Sequence, residues 1–372
     1  MSILRRVGLA LAAPVLAIIF SLAVTAIVLL ATGAPPLETF KSMIDYGTQP
    51  RTMALTVNSA TTYYLSAVAV AIGFRMNLFN IGVDGQYRMA AFVAAVVGGA
   101  VALPKPLHVG LIIVVAMLVG AAWAAIAGVL KVYRGVSEVI STIMLNNIAT
   151  NVIAYLLTPA MLAVAIQGSN NIGTKPIPPS GQVGGLHLIS GTKLDVYGLI
   201  VLAALVGVAY WFGINRTRFG FDLRATGMSE SAAVASGVDV KKMVLASMLL
   251  SGAVAGLVGL PQLLGEAHTF NLNFPAGLGF TGIAIALLGR NHPVGIALAA
   301  LLWGFLDQSA QILNLNDIST DIVAITQGII VLSVVVAYEV VRRYRVAALQ
   351  REVGRQLGEL SATPATTQGA SA

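Results

Sequence analysis

Residues 107–130 read LHVGLIIVVAMLVGAAWAAIAGVL, a run without a single Asp, Glu, Lys or Arg. A helix needs about 20 mostly apolar residues to cross the hydrocarbon core of a bilayer, so this run reads as a membrane-spanning helix. The same reading applies to 7–31, 54–73, 139–157, 196–213, 243–264, 294–312 and 318–341. Composition agrees: of 372 residues, 57% are apolar and 10% charged, with a mean hydropathy of +0.85. A soluble domain carries about 25% charged residues. The apolar excess must therefore face lipid, and the fold class is an all-α integral membrane protein. The first run follows Arg5 and Arg6 and outlasts the roughly 7–15-residue core of a cleavable signal, so it reads as a retained span.

Two shorter runs, 90–103 and 276–288, decide the count. The first follows the polar stretch 80–88 and the second follows Phe274-Pro275. Counting both gives about ten transmembrane helices with both termini on one side. Basic residues concentrate in cytoplasmic loops. With the N-terminus in the cytoplasm, that side receives Arg5, Arg6, Arg75, Lys131, Arg134, Arg216, Arg218, Arg224, Lys241, Lys242, Arg290, Arg342, Arg343, Arg345, Arg351 and Arg355. The outside receives only Lys41, Arg51, Lys105, Lys175 and Lys193, with Arg88 left at the head of the third span. Dropping either short run reverses every later loop and spoils this asymmetry. The sequence therefore predicts ten spans, N-in and C-in.

These spans form one membrane domain, 1–345, with a cytoplasmic loop at 214–242 and an external Gly-, Pro- and Asn-rich loop at 158–194. The small polar tail, 346–372, reads as cytoplasmic and disordered. The formal charge of +7 is spread in short clusters between apolar runs and offers no block for nucleic acid. There are no cysteines, which excludes disulfides, thiolate metal sites and cysteine nucleophiles. The histidines at 108, 187, 268 and 292 lack metal-ligand spacing, and no HExxH or GxSxG occurs. A GxxxxGK[ST] phosphate loop is missing too. The chain therefore reads as not itself an enzyme, with no cofactor bound and no nucleotide hydrolysed by the usual cradle. Energy for uphill transport would come from a partner or an ion gradient.

The two short runs occupy the third and eighth places and echo each other. Phe79-Asn80-Ile81-Gly82 precedes one and Phe274-Pro275-Ala276-Gly277 the other. Each is followed by a span led by Val-Gly (Val109-Gly110, Val294-Gly295), then by Ile-Ser-Thr (Ile140-Ser141-Thr142, Ile318-Ser319-Thr320). An odd number of crossings separates them, so a duplication would be inverted. Inverted halves with short, Gly/Pro-interrupted helices in matching places point to a translocation pathway; plain interhelical packing is the other reading. Gly252-x-x-x-Gly256 reads as a close-packing signal.

Ionised side chains at the bilayer centre cost about 2.5–3.5 kcal/mol on insertion scales, so such groups face protein or water. Asp84, Gln86 and Arg88 open the third span. Asp84 and Arg88, four apart, share a helix face and could pair; a pathway role is the alternative. Asn146, Asn147 and Asn151 lie in the fifth span, either as a packing network or as a lining for a polar solute. Glu138 opens that span, where a carboxylate suits the positive end of the helix dipole. Glu266 and His268 stand just outside the seventh span, at an external mouth or in an ordinary loop. Asp307, Gln308 and Gln311 in the ninth span suit a hydroxylated or heterocyclic solute better than a bare ion. Asn80, Asp84, Gln86, Asn146, Asn147, Asp307 and Gln308 are the candidate pathway residues.

The loop 214–242 contains a legible helix. Ser229 caps its start, Glu230 suits its first turn, 231–236 is Ala-rich, and Gly237 closes it in the left-handed conformation. About seven residues is well below the roughly 12–15 needed for marginal isolated stability. Such a helix must be packed, either on the chain's own helix ends or in a groove of a soluble partner.

Three stretches then become recognisable. Phe74-Arg75-Met76-Asn77-Leu78-Phe79-Asn80-Ile81-Gly82-Val83-Asp84-Gly85-Gln86 is the first and Ser137-Glu138-Val139-Ile140-Ser141-Thr142-Ile143-Met144-Leu145-Asn146 the second. The third is Gly279-Phe280-Thr281-Gly282-Ile283-Ala284-Ile285-Ala286-Leu287-Leu288-Gly289-Arg290-Asn291-His292-Pro293. Together they resemble permeases of ABC importers for nucleosides, within the wider group serving simple sugars and branched-chain amino acids. Arg216, Arg218 and Gly220, with Glu230, Ala232, Ala233 and Gly237, resemble the stretch such permeases present to their ATPase. Asp84 stands where many relatives carry Glu. The resemblance implies a multi-pass subunit of the bacterial cytoplasmic (inner) membrane, importing nucleosides by alternating access. It implies a second permease subunit, identical or different, cytoplasmic ATPase domains holding ATP and Mg²⁺, and an external substrate-binding lipoprotein. The rival from the residues alone is an ion-coupled secondary transporter using Asp84 and Asp307; a non-transporting scaffold is poorer, because polar groups recur in several spans.

Overall fold

The computed structural model describes residues 19–166, 170–316 and 318–334, with 336, 337, 340, 343 and 350. Arg5, Arg6, the opening of the first run, Arg342, Arg345, Arg351, Arg355 and nearly all of the tail 346–372 lie outside the described residues.

Helix α1 (Ile19–Ala31) is followed by α2 (Pro36–Gly47), α3 (Pro50–Phe74), α4 (Val83–Ala100), α5 (Lys105–Arg134) and α6 (Glu138–Leu156). A two-residue antiparallel pair, β1 (Val164–Ala165) with β2 (Ile172–Gly173), lies on the way to α7 (Ile200–Arg216). Next come α8 (Arg218–Met228), α9 (Glu230–Ala235), α10 (Val240–Gly256), the turn α11 (Leu260–Gln262) and a π-helical turn, Leu263–Ala267. The series ends with α12 (Leu278–Leu288), α13 (Pro293–Ser309), α14 (Gln311–Leu315) and α15 (Asp321–Val334). Most of the described part of every predicted span is helical, in keeping with an all-α membrane protein.

Among the described residues, five helices can cross a membrane alone by length and composition, or up to seven if two bent pairs each count as one span. Two of the predicted spans fall short for a physical reason. Helix α12 has 11 residues, about 16 Å of rise, or half of a hydrocarbon core about 30 Å thick. Helix α4 has 18 residues but carries Asp84 and Arg88 in its first turns.

The chain divides into two compact units, Leu37–Thr320 and one formed by the two ends. In the latter, Thr25 Oγ1 donates to Thr326 Oγ1 at 3.1 Å, joining α1 to α15. In the larger unit α3 is central, packing along α10, α12 and α13. Its many Ala, Ser and Thr positions keep it thin enough for three neighbours; sixteen of its residues are buried. Helices α5 and α10 run antiparallel in close contact. A Cβ on Gly252 would meet Ala124 and the Gly120 carbonyl, and one on Gly256 the Ala116 carbonyl. The Gly252-x-x-x-Gly256 signal is thus a packing signal.

Helix ends that carry basic residues gather at one end of this unit. Arg75 Nη2 donates to the Asn291 carbonyl at 2.6 Å, and Tyr210 Oη to the same oxygen at 2.8 Å. Lys131 pairs with Glu138 at 2.6 Å, which gives Glu138 a structural role at the head of α6. Arg134, Arg216, Arg218, Arg224, Lys241, Lys242 and Arg290 lie at the neighbouring helix termini and connections. Contacts at the far end join Asn58 to Asp195, His108 to Ser180, and Thr174 to Phe270.

Candidate functional site

After Phe74 the chain turns back into the protein without helix. Asn77 takes a left-handed φ of 59°, Leu78 N–H returns to the Gly73 carbonyl at 3.0 Å, and α4 begins only at Val83. Irregular backbone at membrane depth is tolerated only where protein buries and satisfies it, and here amide side chains do so. Asn80 Nδ2 donates to Gln86 Oε1 at 3.0 Å and to Ser251 Oγ at 2.8 Å. Asn80 Oδ1 accepts from Gly82 N–H and from Gln86 Nε2. Asn146 reaches across from α6: its Oδ1 accepts from Gly85 N–H at 2.8 Å and its Nδ2 donates to the Ile81 carbonyl at 2.9 Å.

A second broken segment meets the first. Between the π-helical turn and α12 the chain is non-helical, and Gly277 turns it at φ +84°, a conformation other residues adopt only with strain. Asp84 Oδ1 accepts from Gly277 N–H at 2.7 Å and from Gly279 N–H at 3.3 Å, occupying the N-terminus of α12. A Cβ on Gly279 would sit 2.5 Å from the Asp84 backbone nitrogen, so the two helix starts touch. Tyr87 Oη bonds the Pro275 carbonyl at 2.5 Å, and Ser66 Oγ the Leu278 carbonyl at 2.7 Å. Ser66 lies eight residues before Phe74, which places this junction about 12 Å inside the basic end of α3. From it, α4 runs toward the far end, where Gly99 lies against Lys175. Helix α12 runs the other way, to Asn291 at the basic end.

The packing around the junction is reciprocal. Helix α10 lies on α5 as α3 lies on α13, and α12 lies on α3 as α4 lies on α10. That is the pattern of two inverted halves, α3–α4–α5 and α10–α12–α13, meeting at their half-helices.

Of the residues singled out in the sequence, Asn80, Asp84, Gln86 and Asn146 come together here, and all but Asn146 are buried. Of the two readings left open for Asp84 and Arg88, their mutual pairing does not form. Asp84 is drawn to two backbone N–H groups at α12, and Arg88 Nη1 donates to Thr150 Oγ1 at 3.0 Å, leaving its buried Nε without a partner. Asn147 and Asn151 sit on a different, exposed face of α6, each bonded one turn back to a backbone carbonyl. Asp307 and Gln308 belong to another cluster. Asp307 accepts from Tyr63 Oη, Gln308 Nε2 donates to Ser59 Oγ at 2.9 Å, and Gln311 donates to Gln308 at 3.0 Å. Glu266 accepts from Tyr197 Oη. His268, at φ 53°, closes the π-helical turn, and burial holds its pKa below the usual imidazole value. Ser66, Tyr87 and Ser251 carry no signal that the sequence reading uses, and Gly279 enters it only as the first residue of the third quoted stretch, without a role.

In the loop 214–242 the short helix forms as read. Ser229 Oγ accepts from Ala232 N–H at 3.3 Å, Glu230 opens the helix, and Gly237 ends it at φ +81°. The additional helix α8 was not foreseen. Its cap, Thr217 Oγ1, accepts from Gly220 N–H at 3.1 Å. Arg216 stacks over Trp211, and Arg218 pairs loosely with Asp222 at 3.9 Å. Ala233 is 2% exposed and packs within this chain, whereas Glu230, Ala232, Val234 and Gly237 face outward.

Residues 52–337 match the family model described as "Branched-chain amino acid transport system / permease component". The guanosine ABC transporter permease protein NupP of Bacillus subtilis is 35% identical, the alignment covering 88% of this chain and 93% of NupP. The glucose ABC transporter permease protein TsgB13 of Haloferax volcanii is 30% identical over 91% of this chain and 90% of its own. The nucleoside ABC transporter permease protein NupB of Lactococcus lactis is 29% identical over 87% and 90%. No solved structure matches the chain. The half-helix motifs, the capped loop helix and this match across most of the sequence agree: the chain belongs to the branched-chain amino acid transport system permease family.

Proposed function

We propose that the chain is the membrane-spanning permease subunit of an ATP-driven importer that carries nucleosides inward. Ten crossings with the basic end in the cytoplasm suit the distribution of Lys and Arg. The observation that carries the reading is the junction at Asp84. Two half-helices start from one point in the membrane and leave in opposite directions, an arrangement suited to a central site whose halves rock against each other. The solute path runs along the outward face of α6. Asn147, Asn151 and Thr150 are exposed there on a spanning helix, which is costly against lipid, and Arg88 reaches the same helix. Amides, a hydroxyl and a guanidinium offer donors and acceptors to a sugar and a base. Guanosine and glucose, named for two relatives, both present a hydroxylated ring. A second permease subunit faces α6 across this path, and an external lipoprotein delivers the solute. ATP and Mg²⁺ belong to a separate ATPase that receives α9.

The ion-coupled alternative loses ground because Asp84 is already committed to α12 and Asp307 to Tyr63. The decisive experiment reconstitutes the complete transporter and replaces Val234, which is 61% exposed on α9. Val234→Glu should abolish nucleoside uptake and solute-stimulated ATP hydrolysis while the subunit still inserts and assembles. Unchanged uptake would refute the coupling role of α9. Uptake that persists without any ATPase subunit and collapses with a protonophore would overturn the ATP-driven reading altogether.

A further inference from the structure

Helices α7 and α13 both lean on α3 but splay apart from each other, leaving an open groove of about 570 Å³. Its floor is Ala60, Thr61 and Tyr64, and its walls include Ala204, Val208, Ala297 and Leu301. The floor hydroxyl of Thr61 is turned back to the Val57 carbonyl at 2.8 Å, so the channel offers an occupant almost no polar contact. From Ile200 to Trp211 the groove follows α7 for roughly 16 Å. Its mouth differs in character. Trp211 and His292 line it, and the Arg216 guanidinium lies 5.3 Å from the Trp211 ring centre, at the end of the molecule where the basic residues gather. Aromatic and basic side chains of this kind sit at the headgroup level of a bilayer.

We propose that this groove is a binding site for one anionic phospholipid. An acyl chain lies between α7 and α13 over α3, and the phosphate is held by Arg216, with His292 beside it. The apolar lining, followed along one helix for roughly 16 Å, suits one extended acyl chain. Charge decides the headgroup: a cationic mouth attracts an anionic lipid and gains nothing from a zwitterionic one. The outward face of α6, with its exposed Asn147 and Asn151, has no such character, so the lipid is expected on one side of the molecule only.

The test uses the full chain in nanodiscs with Trp123→Phe and Trp303→Phe, leaving Trp211 as the reporter. A phosphatidylglycerol brominated on its acyl chains, present as a minor lipid, should quench Trp211 about fivefold more efficiently than equally brominated phosphatidylcholine, the preference one basic group provides. Arg216→Gln should erase that preference while leaving quenching itself. Ala204→Phe with Ala297→Phe, which fills the groove, should remove the excess quenching for both lipids. Equal quenching by the two lipids in the parent protein would overturn the proposal. The absence of cysteine gives a second measurement free of the Trp background. Ala204→Cys should stay uncrosslinked in native membranes and be protected from thiol reagents by added phosphatidylglycerol. Quantitative cross-linking to another membrane subunit would make the groove a helix interface and defeat the lipid assignment.

Discussion

The two half-helices begin within contact of each other, yet their starts are built differently. Helix α4 opens inside the protein, with nearly every residue from Val83 to Ala95 buried, and neutral amides from Asn80 and Asn146 satisfy its first turn. Helix α12 opens after a left-handed glycine, is satisfied by a carboxylate, and exposes Phe280 to 54% and Leu287 to 40%. One start is capped by neutral amides within surrounding core; at the other a single carboxylate, from α4, takes both N–H groups, while Ser66 and Tyr87 bond the neighbouring carbonyls. The contrast assigns the roles: α4 is the fixed member, and α12 the member whose position depends on Asp84.

Replacing each cap in turn tests that contrast, with thermal unfolding of the purified subunit as the readout. Asp84→Leu should have the largest effect. It strands the part-buried Gly277 N–H and the buried Gly279 N–H at α12 and should cost about 2–6 kcal/mol, at ~1–3 kcal/mol per unsatisfied group. Asn146→Leu removes a neutral cap from a start that the core also holds, and should cost about 1–2 kcal/mol. If the two losses proved equal, charge would not be what distinguishes the two starts. Asp84→Asn keeps an acceptor near Gly277 and should cost about 1 kcal/mol, the difference between a charged and a neutral hydrogen bond; a loss as large as that of Leu would show that the amide cannot serve. Lys131→Met, outside the junction, should cost no more than about 1 kcal/mol, because the pair with Glu138 is partly solvated. A larger loss there would move the weak point of the molecule from the junction to its basic end.

Much of this was legible before any coordinates. The spans follow from runs of apolar residues, because lipid demands continuous helix wherever the backbone is exposed to it. The loop helix followed from Ser229 and Gly237, since caps act on adjacent backbone. The interruption at 80–88 is visible as polar residues inside an apolar pattern; Asn80, Asp84 and Gln86 belong to it, and only the structure brings Asn146 to them and takes Asn147, Asp307 and Gln308 elsewhere. What failed was partner choice. Asp84 and Arg88, one helical turn apart, are able to pair, but Asp84 lies where the unsatisfied N–H groups of α12 arrive from 193 residues away. Ala233 looked like a contact for a partner, but whether a small residue faces inward or outward depends on what its helix lies on.

The sequence by itself determined the class of protein, the places where helices run and break, and which end of the bundle is basic, since each is a local property of composition and periodicity. Only the tertiary structure decided that the two broken segments share one carboxylate, that Asn147 turns away from Asn146, and that α7 and α13 leave a groove between them. Those outcomes depend on which distant backbone groups come within hydrogen-bond reach. Side chains such as Asp84 take whichever donors the packed helices bring to them.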